Sequence, residues 1–414
     1  MSHHDVIVAG TGLAGLTAAV RLAEGGARVL VLAKGAGATH LSPCTIDVLG
    51  YAPERVERPG EALARLDASH PYAAVGRDGV AAALEWFRGA MAETYPYVGG
   101  LDENLLLPTA VGALKPTAAV PETMAAGDLR GGGEVCVVGL RALKDFHAPL
   151  LADNLARAGI GARSAELDLV PEGRADVNSL GLARAFDDPG FRAEVAAQVI
   201  ARLGADERVA FPAVLGIAGA RAAWSELQER LARPVFEVPT LPPSVPGMRV
   251  FAVLRERLRR AGGRVILNAV VHGAERSSGR VTAVHARVGL RDVTHGCDWV
   301  VLATGGFASG GVELDSHWRA REVALGLPVA GVPAGERFRP EYFDEHPMGR
   351  AGVAVDHSLR PEGHENVLVA GATLAGAQPW REKSGDGISL ATGHRAAELI
   401  LGAAVPSEPA GASR

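Results

Sequence analysis

The stretch VIVAGTGLAGLTAAVRLAEGGARVLVLAKG, Val6 to Gly35, decides the fold. Asp5 to Ala9 reads as a buried parallel strand, Gly10-Thr11-Gly12-Leu13-Ala14-Gly15 as a tight turn, and Leu13 to Glu24 as a helix with an apolar face. Gly25-Gly26 stops that helix, and Arg28 to Leu32 is the next strand. Gly10 permits the turn and Gly12 lets the backbone approach a phosphate. Gly15 lets the helix lie close on the strand while its first N–H groups face the anion. A bare G-x-G-x-x-G says little in an Ala/Gly-rich chain. Inside a strand–turn–helix–strand unit it predicts a phosphate-containing cofactor. The end of the stretch departs from the pattern: Ala33-Lys34 stand where such a unit carries an acid for the ribose of an adenine dinucleotide. No Asp or Glu occurs anywhere from Ala27 to Ile46.

Working outward, 414 residues exceed one compact doubly wound layer and accommodate a cofactor domain with a second domain. Hydrophobic residues make up 48%, but no apolar run approaches the ~18–20 residues of a spanning helix. Residues 1–4 lead straight into the first strand without a charged and then apolar leader, so a soluble, cytoplasmic chain is expected. The formal charge of −5 is spread among interspersed Arg, Asp and Glu, which argues against nucleic acid as a partner. Cys44, Cys136 and Cys297 lie far apart, so no metal or iron–sulfur site is expected within the chain, and they read as small buried residues.

Beyond Gly35 the chain reads as a departure from the first sheet and a return to it. Residues 1–50 form the first part of a cofactor domain, 51–235 an inserted α/β domain, 236–404 the second part and 405–414 a disordered tail. The insert has helical stretches at Val80 to Met91 and Ala148 to Ala158, and strand candidates EVCVVGL (Glu134 to Leu140) and VAFPAVLGI (Val209 to Ile217). EVCVVGL opens a second strand–helix unit without a glycine fingerprint and reads as scaffold. VFEVPTLPPSVPGMRV, Val235 to Val250, holds four prolines and reads as a crossing linker. Next come a helix, Arg249 to Ala261, and RVILNAVV and RVTAVHARV, which alternate like antiparallel strands before DWVVLATGG. NVLVAGATLAGAQPWREKSGDGISLATGHRAAELILG closes the chain as strand, glycine-rich turn and helix, with Gly385-Asp386-Gly387 opening the helix Ile388 to Leu401.

The N-terminal fingerprint, VVLATGG after a meander, and VLVAGATLAG with SGDGISLATGHRAAELI together resemble the split flavin-binding domain of the broad flavoprotein class that includes fumarate reductase flavoprotein subunits. HLSPCTIDVLG, EVCVVGL followed by DFHAPLLADNL, VPTLPPSVPGMRV and VLATGGFASGG extend the resemblance to the B-subunit family of anaerobic glycerol-3-phosphate dehydrogenase. The fold expected is α/β: a Rossmann-like split flavin-binding domain with a β-meander and an inserted mixed α/β domain. The resemblance implies oxidation of sn-glycerol 3-phosphate to dihydroxyacetone phosphate, with electrons sent to the quinone pool. It also implies two partners, a catalytic flavoprotein A subunit and an iron–sulfur C subunit at the membrane. A chain without spanning helix or cluster cysteines needs such a partner to reach quinone.

The expected cofactor ligands are Gly10, Thr11, Gly12, Leu13, Ala14 and Gly15 in the turn, and Thr39 and Ser42 in the loop after the second strand. Ala303, Thr304 and Gly305 after the meander, Gly371 in the last glycine turn, and Gly385, Asp386, Gly387 and Ile388 at the last helix complete the set. That helix N-terminus would stabilise charge on the pyrimidine edge of a flavin; alternatively, Asp386 is an ordinary cap. A phosphate turn without the ribose acid suits FMN, which the resemblance also implies. The alternatives are FAD with its ribose held by water or backbone, and NADP held through Lys34. No catalytic residue is assigned. His40, His346, His394, Arg381 and Lys383 are candidates for the base and the phosphate cations that alcohol oxidation requires. Three functions stay open: oxidation of substrate at the chain's own flavin, electron relay for a catalytic partner, and a fumarate-class reductase.

Overall fold

The computed structural model describes residues 2–171, 177–335, 338–341, 344–346 and 348–404; the tail expected at 405–414 lies outside them. The first strand, Ser2–Ala9, has Val6 to Ala9 fully buried and lies parallel to Val29–Ala33 on one side and to Arg291–Leu302 on the other. Arg264–Leu267 extends the sheet beyond Val29–Ala33, and Val367–Val369 pairs parallel with the end of Arg291–Leu302. Ala269–Ser277, Arg280–Val288 and the first half of Arg291–Leu302 form the antiparallel meander. One long strand therefore serves two purposes: its beginning closes the meander, and its end delivers Ala303 beside the turn at Gly10.

A second, four-stranded parallel sheet runs in the order Val235–Val238, Arg208–Pro212, Glu134–Leu140, Gly161–Leu167. It has its own apolar core, including Val137, Phe186, Phe211 and Phe236. The helix Gly76–Met91 instead contributes Val80, Leu84 and Phe87 to the core of the first sheet. The architecture is the expected α/β one, a split flavin-type sheet with a meander and an inserted α/β unit. Among the described residues no helix is long and apolar enough to cross a membrane. The three cysteines are buried and unpaired.

Three readings of local structure change. RVILNAVV is two strands, because Asn268 adopts φ 56° and breaks it; only the second part joins the meander. VAFPAVLGI is a strand only to Pro212. The proline-rich segment is mostly regular: Val235–Val238 is a strand and Val245–Arg260 a helix. Pro246 sits in that helix's first turn, where a missing N–H costs nothing, and Ser244 caps it by accepting the Gly247 N–H at 3.1 Å.

The two sheets are joined by a buried ion pair. Arg249, on the helix Val245–Arg260, donates to Glu237 (2.7 and 3.0 Å), to the Gly216 carbonyl and to the Tyr95 hydroxyl. Glu237 also accepts from Thr123 and from the Leu215 N–H, so the pair is well supplied with partners.

Candidate functional site: a flavin cradle with a polar cluster beside it

The helix Leu13–Glu24 begins at Gly12 with no side-chain cap and no acid in its first turn. Its leading N–H groups, unsatisfied by the helix itself, are therefore left to an anion. The glycines of the turn divide the work. Gly10 has φ +116°, and a Cβ there would stand 2.1 Å from the Ala303 carbonyl oxygen; a Cβ at Gly15 would stand 2.1 Å from the Gly10 carbonyl oxygen. Both are packing positions. At Gly12 a Cβ would meet nothing within 4 Å, so the backbone there faces open space. Thr39 is buried, and its hydroxyl has no hydrogen-bond partner among the described residues. An open glycine face, uncapped helix donors and a spare buried hydroxyl suit the phosphate end of a flavin.

Of the other expected ligands, Ala303, Thr304 and Gly371 lie against this turn. Ala303 donates its N–H to the Ala9 carbonyl, and Gly305 is fixed by Thr373, whose hydroxyl accepts the Gly305 N–H at 3.0 Å. Thr304 donates to the buried Glu322 carboxylate. Gly371 lies against Ala14 and donates its N–H to the Thr392 hydroxyl at 2.8 Å. Gly393 lets the last helix, Gly385–Ala404, press on Ala14: a Cβ there would be 2.3 Å from its carbonyl oxygen. Thr11 donates its hydroxyl to the Gly35 carbonyl, which ties the loop after Ala33 back to the turn. Gly37, in the same loop, lies on the Gly12 backbone. The sequence pattern did not single out Thr373, Thr392 or Glu322, because their partners in the cradle, Gly305, Gly371 and Thr304, lie 68, 21 and 18 positions away.

The opening of the last helix is more crowded than expected. The Gly387 N–H donates to the Asp47 carbonyl and the Ile388 N–H to the Ser384 carbonyl. A Cβ on Gly387 would lie 2.4 Å from the Tyr72 hydroxyl. Asp386 sits inside the helix and accepts a hydrogen bond from Ser42 at 2.7 Å. Burial, then the nearby Asp47, pushes its carboxyl up to about 6, against the opposing pull of Ser42 and Lys115. Lys115 donates to both Asp47 carboxylate oxygens (3.0 and 2.7 Å) and to the Thr45 hydroxyl (2.7 Å). Lys383 stands nearby with φ 51° and donates to the Trp380 carbonyl. Burial and Lys115 hold its ammonium below the usual lysine range, with Asp47 opposing. Glu382 is held by His70, Ser384 and the Gln378 N–H, partners that keep it below the usual carboxylate range despite its burial.

The histidine candidates do not converge on the cradle. His394 faces away, with Trp86 5.9 Å and Glu398 3.9 Å from it, and burial lowers its pKa. His40 packs edge-on to Phe251 and is likewise lowered by burial. His346 is exposed and accepts the Met348 N–H. Arg381 is exposed on the short helix Pro379–Glu382. Of the named candidates, Lys383 alone lies within the polar cluster that surrounds Asp386.

A phosphate turn on a split parallel sheet, closed by a C-terminal helix, is the frame of a nucleotide-cofactor protein. The family described as FAD binding domain matches residues 5–388, so the chain is a flavoprotein of the flavin-dependent oxidoreductase class. It is 32% identical to the B subunit of anaerobic glycerol-3-phosphate dehydrogenase from Pectobacterium carotovorum, over 96% of this chain and 98% of that one. It is 31% identical to the B subunit from Pectobacterium atrosepticum (96% and 98% covered) and 30% identical to that from Vibrio cholerae (97% of each). The chain belongs to the B-subunit family of anaerobic glycerol-3-phosphate dehydrogenase. The matched domain is described by FAD, which lends no support to FMN; flavin is the conclusion the two share.

Proposed function

We propose that this chain is the flavin-bearing B subunit of an anaerobic glycerol-3-phosphate dehydrogenase and oxidises sn-glycerol 3-phosphate to dihydroxyacetone phosphate. The observation that carries this reading is the match, nearly end to end, with relatives named as that subunit, joined to an intact phosphate turn. A bound flavin supplies the oxidising power for hydride removal from a secondary alcohol. The residues that would hold it are the N–H groups following Gly12, the Thr39 hydroxyl, and the backbone of Ala303 to Gly305 and Gly371. Electrons then pass through an iron–sulfur C subunit to quinone, with an A subunit in the same assembly, which keeps this chain peripheral at the inner face of the membrane. We read the flavin as FMN on one ground: Ala33 is buried and apolar where a ribose-binding acid would stand.

Electron relay without substrate oxidation is the second reading, favoured by the absence, among the described residues, of a histidine from the cradle. An anaerobic half-reaction separates the two. The purified, flavin-loaded chain is mixed with glycerol 3-phosphate and the flavin absorbance followed. Bleaching by this chain alone supports the first reading. An unchanged spectrum that bleaches only when an A subunit is added rejects it in favour of relay.

A further inference from the structure

We propose that Glu322 is a positioning residue for the flavin: its buried carboxylate takes the Thr304 hydroxyl proton, so that Thr304 meets the cofactor as a hydrogen-bond acceptor only. This rests on the reading that the chain holds a flavin in this cradle. Beyond Gly306 the chain turns back at Gly310, with φ +77°, and returns as a hairpin of Val312–Leu314 against Ala320–Glu322, in which Val312 pairs with Glu322. A Cβ on Gly311 would lie 2.6 Å from the Thr304 carbonyl oxygen and closer still to that of Gly305. With no side chain there, the hairpin rests directly on the cradle segment, and the Val323 N–H donates to the Gly311 carbonyl at 3.1 Å. Glu322 is thereby brought next to Thr304, 18 positions earlier in the chain.

Glu322 is fully buried, while Thr304 is half-buried. The carboxylate accepts the N–H groups of Ala324 and Leu325, each at 2.8 Å, and these two bonds alone would close the local turn. Its third bond, from the Thr304 hydroxyl at 3.2 Å, is the one that leaves the hairpin. A hydroxyl has a single proton and two lone pairs. With the proton directed at Glu322, only the lone pairs are left for a ligand. Thr373 removes the neighbouring donor in the same way, because its own hydroxyl accepts the Gly305 N–H at 3.0 Å. Neither group can then donate to the cofactor, and the partner that suits Thr304 is a donor, a ribityl hydroxyl or a ring N–H of the flavin. Glu322, with no exposed surface, acts through this orientation and does not touch the cofactor itself.

Fluorescence titration of the full chain, stripped of its flavin, with FMN and with FAD tests this role. Thr304→Val keeps the side-chain shape without the hydroxyl and should weaken flavin binding by about tenfold, the loss of one hydrogen bond with its donor left unpaired. Thr304→Ser, which keeps the hydroxyl, should bind like the parent. Glu322→Gln should weaken binding by a similar factor, since the amide offers one acceptor oxygen where three donors converge. If it does not fold by circular dichroism, Glu322→Asp, a methylene too short for the Thr304 hydroxyl, takes its place. In a Thr304→Val background the Glu322 substitution should add less than about twofold, because its effect runs through the hydroxyl already removed. Unchanged affinity in a folded Thr304→Val or Glu322 variant, or losses that multiply in the double variant, overturns the positioning role and leaves the flavin reading standing. A parent chain that binds neither flavin overturns both.

Discussion

Gly12 and Gly10 belong to one motif yet should fail in opposite ways. Gly12 has φ −62° and open space where its Cβ would be, so a side chain there meets no protein atom. Gly12→Val should give a folded chain with near-normal circular dichroism and no flavin colour, because the valine fills the space that the phosphate needs. A coloured Gly12→Val protein with one flavin per chain would remove the turn from the cofactor site. Gly10→Val, at φ +116° and against the Ala303 carbonyl, should not fold at all. Asp386 carries a pH prediction. Its folded pKa, about 6, lies above the usual value of 3.8, so its contribution to stability is fully present below about pH 4 and lost as pH rises through 6. The ionised group then costs roughly 3 kcal/mol at one pKa unit per 1.4 kcal/mol. Asp386→Asn should therefore raise the unfolding free energy at pH 8 by on the order of 2 kcal/mol and leave it unchanged near pH 4. Urea unfolding of cofactor-free protein at both pH values checks this, and equal stability at pH 8 would show that the carboxyl is not desolvated.

The helix Leu13–Glu24 could be read to the residue from its glycine boundaries, because its start and stop signals are local. Other elements could not. RVILNAVV has the alternation of one strand, and only the left-handed turn at Asn268 assigns its halves to different neighbours. Prolines concealed the strand Val235–Val238, which ends just before the first of them. Within the candidate site, the glycine turn announced itself through spacing, whereas Lys115 meets Asp47 across 68 residues, a separation with no local pattern. The same holds for Arg249, whose role as a tie between the two sheets exists only in the folded chain. Arg249→Met should leave Glu237 buried and unpaired, costing about 3–5 kcal/mol, and adding Glu237→Gln should restore a large part of that. Chemical denaturation of the single and double variants would show it; an Arg249→Met chain as stable as the parent would mean that the pair is not buried.

Across the whole chain, the proposed cofactor cradle draws on residues from both ends. The turn at Gly10–Gly15 is backed by Ala303 and pressed by Gly371 and Gly393, so residues near the start of the chain depend on residues nearly 400 positions later. The family match from 5 to 388 takes in the turn, Ala303 and Gly371. The inserted parallel sheet is held to this frame through Arg249 and Glu237 and contributes none of the expected flavin ligands. The flavin itself is thus the claim on which the rest depends. Its most direct test is to heat-denature the purified chain, recover the released cofactor, and determine its mass and its ratio to protein. One FMN per chain is predicted. Stoichiometric FAD would contradict the reading of Ala33, and a folded chain that neither carries nor takes up any flavin would contradict the account as a whole.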